Sequence, residues 1–337
     1  MRRRVQVALI CVTHDSESLL PGFAEAARQG LSGCDARIVV ADSASTDHTL
    51  AVVAELLPEA DICRLDGNRG YAAGFNAGVR LVRSSGGAEN FLLSNPDMRL
   101  HPDTVPTLLA RLSDGVGVAV PQLRDQRHRL FHSLRHPPSA LATWCEAFLG
   151  GPLAGRLGLP CDVVWDSDRY LADAEPAWAT GGLVAISEAC LDLVGPWDES
   201  YFLYEEEVDF MLRVADAGMR VLYVADAVAT RLLEEGRVAP WAYALMRSNR
   251  ARLLRRRLPA SRAAAQLSGL LVGDGLRALR GRPEARAALW AVSTGARPQQ
   301  VMARYGVSTG SSVDGPATPG GQGILATGHT DQFEPRS

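Results

Sequence analysis

Along the first 120 positions, apolar residues follow two alternating rhythms. The runs Val5–Val12, Arg37–Ala41, Asp61–Leu65, Phe91–Ser94 and Val116–Val120 are short, apolar or β-branched, and bounded by turn residues, as buried strands are. Between them, Leu19–Gln29, Thr46–Leu57, Tyr71–Val82 and Thr104–Leu112 carry apolar residues at helical spacing. The alternation predicts an α/β fold, a mostly parallel sheet with helices on both faces. Ligands of such sheets bind beyond the carboxyl ends of the strands, so chemistry is expected in the loops that follow them.

The rhythm breaks at residues 122–175, which are rich in Arg, His, Pro, Gly and Trp. They read as an irregular insert lining a second binding site. Regularity returns at Trp178–Ile186, a helix at Ser187–Val194, and strand-like Arg220–Val224 and Ala227–Ala229. From Trp241 to Trp290 the pattern is helical, with eleven Arg against only Asp274 and Glu284. Past Arg304 the chain is Gly, Ser, Thr and Pro without apolar periodicity, which predicts a disordered tail. The expected organisation is 1–121, 122–235, 236–303 as a helical extension, and 304–337 as the tail.

Composition narrows the function classes. With 47% hydrophobic and 22% charged residues the chain is an ordinary soluble type. A formal charge of −3 argues against a globally basic nucleic-acid binder. Every one of the 35 Lys-plus-Arg positions is Arg, which removes Schiff-base and P-loop lysine chemistry. The six Cys show no CxxC or Cys/His spacing, so free thiols and a reducing, cytoplasmic setting are expected. Val5–Val12 is too short to cross a bilayer and reads as the first strand.

The loops after the strands hold the candidate chemistry. Thr13-His14-Asp15-Ser16 follows the first strand, and Asp42 closes the second ahead of a capping Thr46-Asp47. A carboxylate at Asp42 could accept from a base N–H or a ribose hydroxyl. Gly67-Asn68-Arg69-Gly70 opens a helix with Gly70, Gly74 and Gly78, a period of four that ordinarily means close helix packing. Asn95-Pro96-Asp97 puts a carboxylate beside a rigid turn, a diphosphate–metal anchor in form. The densest signal is Tyr201–Asp209, YFLYEEEVD. Its acids either complement a helix N-terminus or supply a directed base with a raised pKa.

In order and spacing over about residues 5–258, these segments resemble glycosyltransferase family 2, on its rhamnosyltransferase-like branch. The series is Cys11–Ser16, Val40–Thr49, Asn68–Gly78, Leu93–Asp97, Thr180–Ser187 and Gly195–Phe210. The resemblance implies a GT-A fold, a nucleotide-diphosphate sugar donor (dTDP-rhamnose for that branch), and inverting transfer to a glycan, lipid-linked saccharide or natural-product hydroxyl. It implies that Thr13, Asp15, Asp42, Arg69, Gly70, Asn76 and Asn95 border the nucleotide-sugar. Asp97 would meet the diphosphate through Mg²⁺ or Mn²⁺. Glu207 would be the base, where the family usually has Asp, and Glu206 would bind acceptor hydroxyls. Trp178, Gly181, Gly182, Trp197 and Asp209 fall on the acceptor side, although both Trp residues also read as core.

Two departures stand out. Asn95 replaces the first acid of the family's DXD motif, and Asp226–Arg231 lacks the expected His. Arg231 is then either a fixed cation on the diphosphate, with metal weakly required, or the mark of a silent nucleotide-sugar- or glycan-binding subunit. The Arg247–Arg257 run is either a solvated helix face or a peripheral contact with an anionic membrane.

Overall fold

The computed structural model describes residues 4–113, 115–232 and 238–307. Five strands form the first part: β1 (Val5–Thr13), β2 (Ala36–Asp42), β3 (Asp61–Arg64), β4 (Ala88–Ser94) and β5 (Met98–Leu100). Six follow: β6 (Val116–Arg124), β7 (Leu130–Phe131), β8 (Leu134–Arg135), β9 (Trp178–Ala179), β10 (Leu183–Ser187) and β11 (Arg220–Arg231). The main sheet runs β3-β2-β1-β4-β10-β6-β11-β5, with β7 paired to β6.

The parallel expectation holds from β3 to β4, where β1 pairs in parallel with β2 and β4. Beyond β4 the sheet is mixed. β10 lies antiparallel between β4 and β6, while β11 is parallel to β6 and antiparallel to β5. That reversal has a consequence for chemistry. Leu183 at the start of β10 pairs with Ser94 at the end of β4, so residues before β10 and residues after β4 share one edge. The two strand-like runs expected at 220–229 are one strand, β11, with a register shift between Val224 and Val228.

The glycine period in the helix Tyr71–Ser84 serves close packing. A Cβ at Gly74 would lie 2.5 Å from Val12 Cγ1, and one at Gly78 would lie 2.6 Å from Ile10 Cγ2. The helix backbone therefore rests directly on the Val12 and Ile10 side chains of β1. A single core cluster runs through residues of the sheet, the acidic segment and the C-terminal helices, among them Phe75, Val184, Phe210, Leu245, Ala288 and Met302.

The expected irregular insert contains two helices, Ala140–Leu149 and Gly151–Arg156. Ser139 caps the first, accepting from Ala142 N. The apolar stripe that would announce this helix is missing, because its buried face is made of small residues. Gly269 of the helix Ala260–Leu279 sits on Thr143 and Trp144, and Gly273 sits on Ala147. The C-terminal helices are Pro240–Arg257, Ala260–Leu279, Pro283–Thr294 and Pro298–Arg304. The last ends at Arg304 and buries Val301 and Met302. The tail expectation for residues 308–337 lies outside the described residues. No described helix is long and apolar enough to cross a membrane.

Candidate active site

The acidic segment enters its helix, Glu206–Asp216, through a turn in which three of four residues are left-handed without being glycine. Phe202, Tyr204 and Glu205 have φ of 66°, 68° and 73°. Each costs about 1–3 kcal/mol and persists only where surroundings over-determine it. Two neighbours do so here. Asn249, on Pro240–Arg257, points its amide N–H groups at the carbonyls of Tyr201, Leu203 and Tyr204, at 2.8, 2.9 and 3.1 Å. From the other side, Tyr71 N donates to the Phe202 carbonyl at 2.8 Å. This approach needs Gly70, whose φ is 86° and whose added Cβ would fall 2.0 Å from that same oxygen.

The turn delivers three buried carboxylates with different surroundings. Glu205 points back at Arg250, 3.1 Å away, and burial pushes its pKa up to about 7 despite that guanidinium. Glu206 is pushed well above the usual range by burial and then by the charges of Glu207 and Glu205. Burial also raises Glu207, but Arg250, Arg231 and Arg135 all favour its ionised form. Both acids are thus held above the ordinary carboxylate range, Glu206 the further of the two, and Glu207 is eased downward first by a backbone hydrogen bond and then by the guanidinia. Asp209 is committed to Arg213, at 2.8 Å.

Gly181 and Gly182 form the floor between these acids and the end of β4. A Cβ on Gly181 would sit 3.0 Å from Glu207 Cβ; one on Gly182 would sit 3.1 Å from Met98 Sδ and 3.8 Å from Arg231 Cζ. Asn95 N donates to the Gly182 carbonyl at 3.0 Å. Arg231 Nε meets Asp97 Oδ2 at 3.5 Å and its guanidinium lies 5.3 Å over Phe131. Burial raises the Asp97 pKa, opposed chiefly by Arg231. Asp97 Oδ1 and Asn95 Oδ1 are both buried without a hydrogen-bond partner. Two hard oxygen acceptors beside a buried guanidinium suit either a divalent cation or donor groups of a ligand. Among the described residues there is no group of three or more His, Cys, Asp or Glu side chains that could hold a metal.

On the nucleotide side, the expected residues form a loop network. Asp42 is fully buried; it accepts from Thr13 Oγ1 at 3.1 Å and from Ser45 through both its hydroxyl and its N–H. Asp15 Oδ1 accepts from Thr46 N at 2.7 Å, holding the neighbouring loop. Both carboxylates are thus organisers of their loops, with oxygens already engaged. Arg69 is exposed between Asp66 and Glu199, while its N–H donates to Ser43 Oγ. Asn76 is spent within the protein, giving to the Trp197 carbonyl and to Glu199 Oε1 and accepting from Trp197 N.

Both tryptophans are core. Trp197 packs 5.3 Å from Phe75 and from Phe210 and is 1% exposed. Trp178, fully buried, lies between the guanidinia of Arg135 and Arg250, 5.4 and 5.2 Å from its ring. The arginine run is mostly spoken for inside the molecule. Arg247 reaches Asp274, Arg250 reaches Glu205 and Asp162, Arg252 reaches the Ser200 carbonyl, Arg256 reaches Asp198 and Arg257 reaches Asp216. A membrane contact through this helix would have to break those pairs.

Sequence reading gives no place in the site to four residues, one of which, Arg250, it sets in the Arg247–Arg257 run. Tyr71 places a buried hydroxyl without a hydrogen-bond partner where Glu206, Asp97 and Glu207 all bear on it. Asn249 and Arg250 hold the acidic turn, and Arg135, 1% exposed, keeps Nε and Nη2 without hydrogen bonds. Arg135, Arg250 and Glu205 line a cavity of about 80 Å³ behind the turn, closed by the insert helix at Ser139 and Glu146. The lone signal for Asn249 was a polar residue one helical turn from Leu245, Met246 and Leu253.

Three comparisons bear on this arrangement. The glycosyl transferase family 2 model matches residues 8–146. Over 200 residues the chain is 28% identical to the N-acetylglucosaminyl-diphospho-decaprenol L-rhamnosyltransferase of Mycobacterium tuberculosis, covering 56% of this chain and 64% of that protein. It is 23% identical over 207 residues to a low-salt glycan biosynthesis hexosyltransferase of Haloferax volcanii, covering 60% and 61%. The chain thus spans less than two thirds of the length of these curated relatives. The fold matches the mannosyltransferase PcManGT from Pyrobaculum calidifontis, solved with GDP-Man and Mn²⁺, at a TM-score of 0.50 and 17% identity, over 90% of this chain and 79% of that one. The main sheet and its helices are therefore a GT-A fold, with a helical C-terminal region.

Two stability measurements test the turn. Asn249→Ala removes both amide N–H donors from the turn, with Leu203 N still serving the Tyr201 carbonyl, and should cost about 3 kcal/mol in urea unfolding; a loss below about 1 kcal/mol would mean the turn holds itself. Glu205 binds its proton more tightly folded (about 7) than unfolded (4.5). The folded state holds more protons in that window, so stability should fall as pH rises through it. Melting temperature followed across pH should show that slope, and Glu205→Gln should flatten it. An unchanged slope in the variant would assign it to another group.

Proposed function

Residues 8–146 belong to glycosyl transferase family 2, and from that premise we propose that the protein transfers a sugar from a nucleotide-diphosphate donor to a hydroxyl acceptor, with inversion. One observation carries the reading. Consecutive glycines, Gly181 and Gly182, leave room beside Glu207 on one side and beside Met98 and Arg231 on the other, so a carboxylate and a cation come to one sheet edge across a stretch of chain that has no side chains of its own.

Single displacement needs little more. Glu207 removes the acceptor proton as the hydroxyl attacks the anomeric carbon, and the donor's bond to its diphosphate breaks on the opposite face. Glu206, holding its proton more tightly than Glu207, serves as a hydrogen-bond donor to sugar or acceptor oxygens. Arg231 and the Asn95–Asp97 loop meet the departing diphosphate. A divalent cation there, held by Asp97 and Asn95 oxygens, would supply further neutralisation of the leaving group. Thr13, Asp42 and the Arg69–Gly70 loop frame the nucleotide. Gly181 must stay small, since any side chain there would push Glu207 aside.

The donor and acceptor follow from the relatives. Similarity to an L-rhamnosyltransferase named for a diphospho-decaprenol acceptor supports a deoxyhexose donor, dTDP-rhamnose, and a lipid-linked saccharide acceptor. The cavity behind the acidic turn is walled by Arg135, Arg247 and Arg250 and equally by Glu146, Asp162 and Glu205, so its guanidinia are matched within the protein and it carries no part of this reading.

Glu207→Gln should retain donor binding, read as an unchanged nucleotide-induced melting shift, and lose transfer by about a thousandfold or more. Equal transfer by the variant would remove Glu207 as base. A melting panel of UDP, dTDP, GDP and ADP, each with Mg²⁺, Mn²⁺ or EDTA, tests the donor. Stabilisation by dTDP is expected, about 2.7 kcal/mol at one hundred times Kd. Retention of the shift in EDTA would mean Arg231 carries the diphosphate alone. No shift with any nucleotide would favour a silent glycan-binding subunit.

A further inference from the structure

The two insert helices turn their large apolar side chains outward. Leu141, Phe148 and Leu157 are 61%, 60% and 59% exposed, and Leu149, Leu153 and Leu159 lie exposed among them. Leu141 and Phe148 are seven residues apart on one helix, with Trp144 between them stacked on Phe148 at 5.8 Å. Leu153 on the next helix and Leu157 at its C-cap are four apart. These spacings put each pair on one face of its helix. Together they expose several hundred Å² of apolar surface, at or beyond what a typical soluble monomer leaves uncovered.

The inward faces explain why these residues have no place in the core. Ala142 and Ala147 face the protein, and glycines of Ala260–Leu279 press onto Thr143, Trp144 and Ala147. From Gly269 against Thr143 to Gly273 against Ala147, both helices advance by four residues, so they run parallel. The C-terminal end of the longer helix therefore emerges beside Leu149, bringing Leu279, 86% exposed, and exposed Arg280 and Arg282 to the same end. Arg156 is exposed between Leu153 and Leu157. The one acid on the two insert helices, Glu146, faces inward, accepting from Asp162 N and lining the cavity.

We infer that this hairpin is a docking surface for an anionic lipid bilayer, with the leucines and Phe148 entering the headgroup–acyl boundary and the flanking arginines meeting lipid phosphates. Apolar ridge and rimming cations are the pairing such interfacial binding requires. The surface differs from the Arg247–Arg257 helix, whose guanidinia are largely engaged internally. Its position has a use: Ser139, Ala142 and Glu146 of the first insert helix also wall the cavity that holds Glu205 and Arg250. A docked hairpin would set that cavity near the bilayer surface. The inference stands on the surface alone and does not require the transfer reading.

Co-sedimentation of the full chain with vesicles tests it. The wild type should pellet with mixed phosphatidylcholine–phosphatidylglycerol vesicles, bind phosphatidylcholine alone more weakly, and lose part of its binding as salt rises. The triple change Leu141→Ser, Phe148→Ser, Leu157→Ser should weaken partition about tenfold or more. Arg156→Glu should weaken binding to the anionic vesicles only, and Arg255→Ala on the other helix should bind as wild type. These exposed positions should leave circular dichroism and the nucleotide melting shift unchanged, which separates failure here from failure of the donor site. Should the triple variant not fold, Arg156→Glu and the salt series decide. The inference is overturned if the wild type stays in the supernatant, if the folded triple variant pellets equally, or if that variant turns a dimer into a monomer, which would give the face to a second copy.

Discussion

The amide of Asn249 holds together what the site depends on. It reaches three carbonyls of a turn that three non-glycine left-handed residues would otherwise make unfavourable. An ordinary helix entry would have let the acids fan into water, where they would titrate near their usual values. The strained turn instead aims Glu205, Glu206 and Glu207 inward from successive positions, each against a different set of charges. Strain of this kind is tolerable only because an asparagine side chain, a glycine and a tyrosine N–H close on it from both sides.

The charge pattern around the turn follows the same logic. Taking carboxylates out of water is expensive unless cations accompany them. Arg250 sits on Glu205, Arg231 on Asp97, and Arg135 behind Trp178, all with nine-tenths or more of their side chains out of solvent or close to it. Removal of either partner from such a pair strands the other. The guanidinia bear on Glu207, whose rise is smaller than that of its neighbour Glu206. Arginine suits this duty better than lysine, because its planar head can lie over Trp178 or Phe131 while still meeting a carboxylate.

The mixed sheet is what lets so few residues form a site. Had β10 run parallel to β4, Gly181 and Gly182 would have lain at the opposite edge from Asn95 and Asp97. The antiparallel crossing puts both loops on one edge, and β11 ends there as well with Arg231. The helical insert and the C-terminal helices then close the back of the acidic turn, giving the cavity a wall that turns apolar on its outer side.

Alternating strand and helix periods were enough to locate β1, β2, β4 and β6 and the helices between them, because strands buried on both faces read as largely apolar runs; the edge strand β3, half-exposed along its length, was placed by the turn residues around it. The loop acids and the YFLYEEEVD segment were legible for a related reason: polar residues clustered at the ends of apolar runs have few structural uses. The insert helix Ala140–Leu149 was not legible, since its buried face is alanine packed on glycine and its large residues point outward. Nor were the fates of Asp42, Asp15, Asn76 and Trp197. Whether a side chain is open to a ligand or spent on its own backbone depends on neighbours 29 to 121 residues away, and one-dimensional periodicity carries no such distances. Residue types and their order were determined locally; partnership among Asn249, Arg250 and the acidic turn was decided only when helix and turn packed together, because burial and charge pairing are properties of the assembled core.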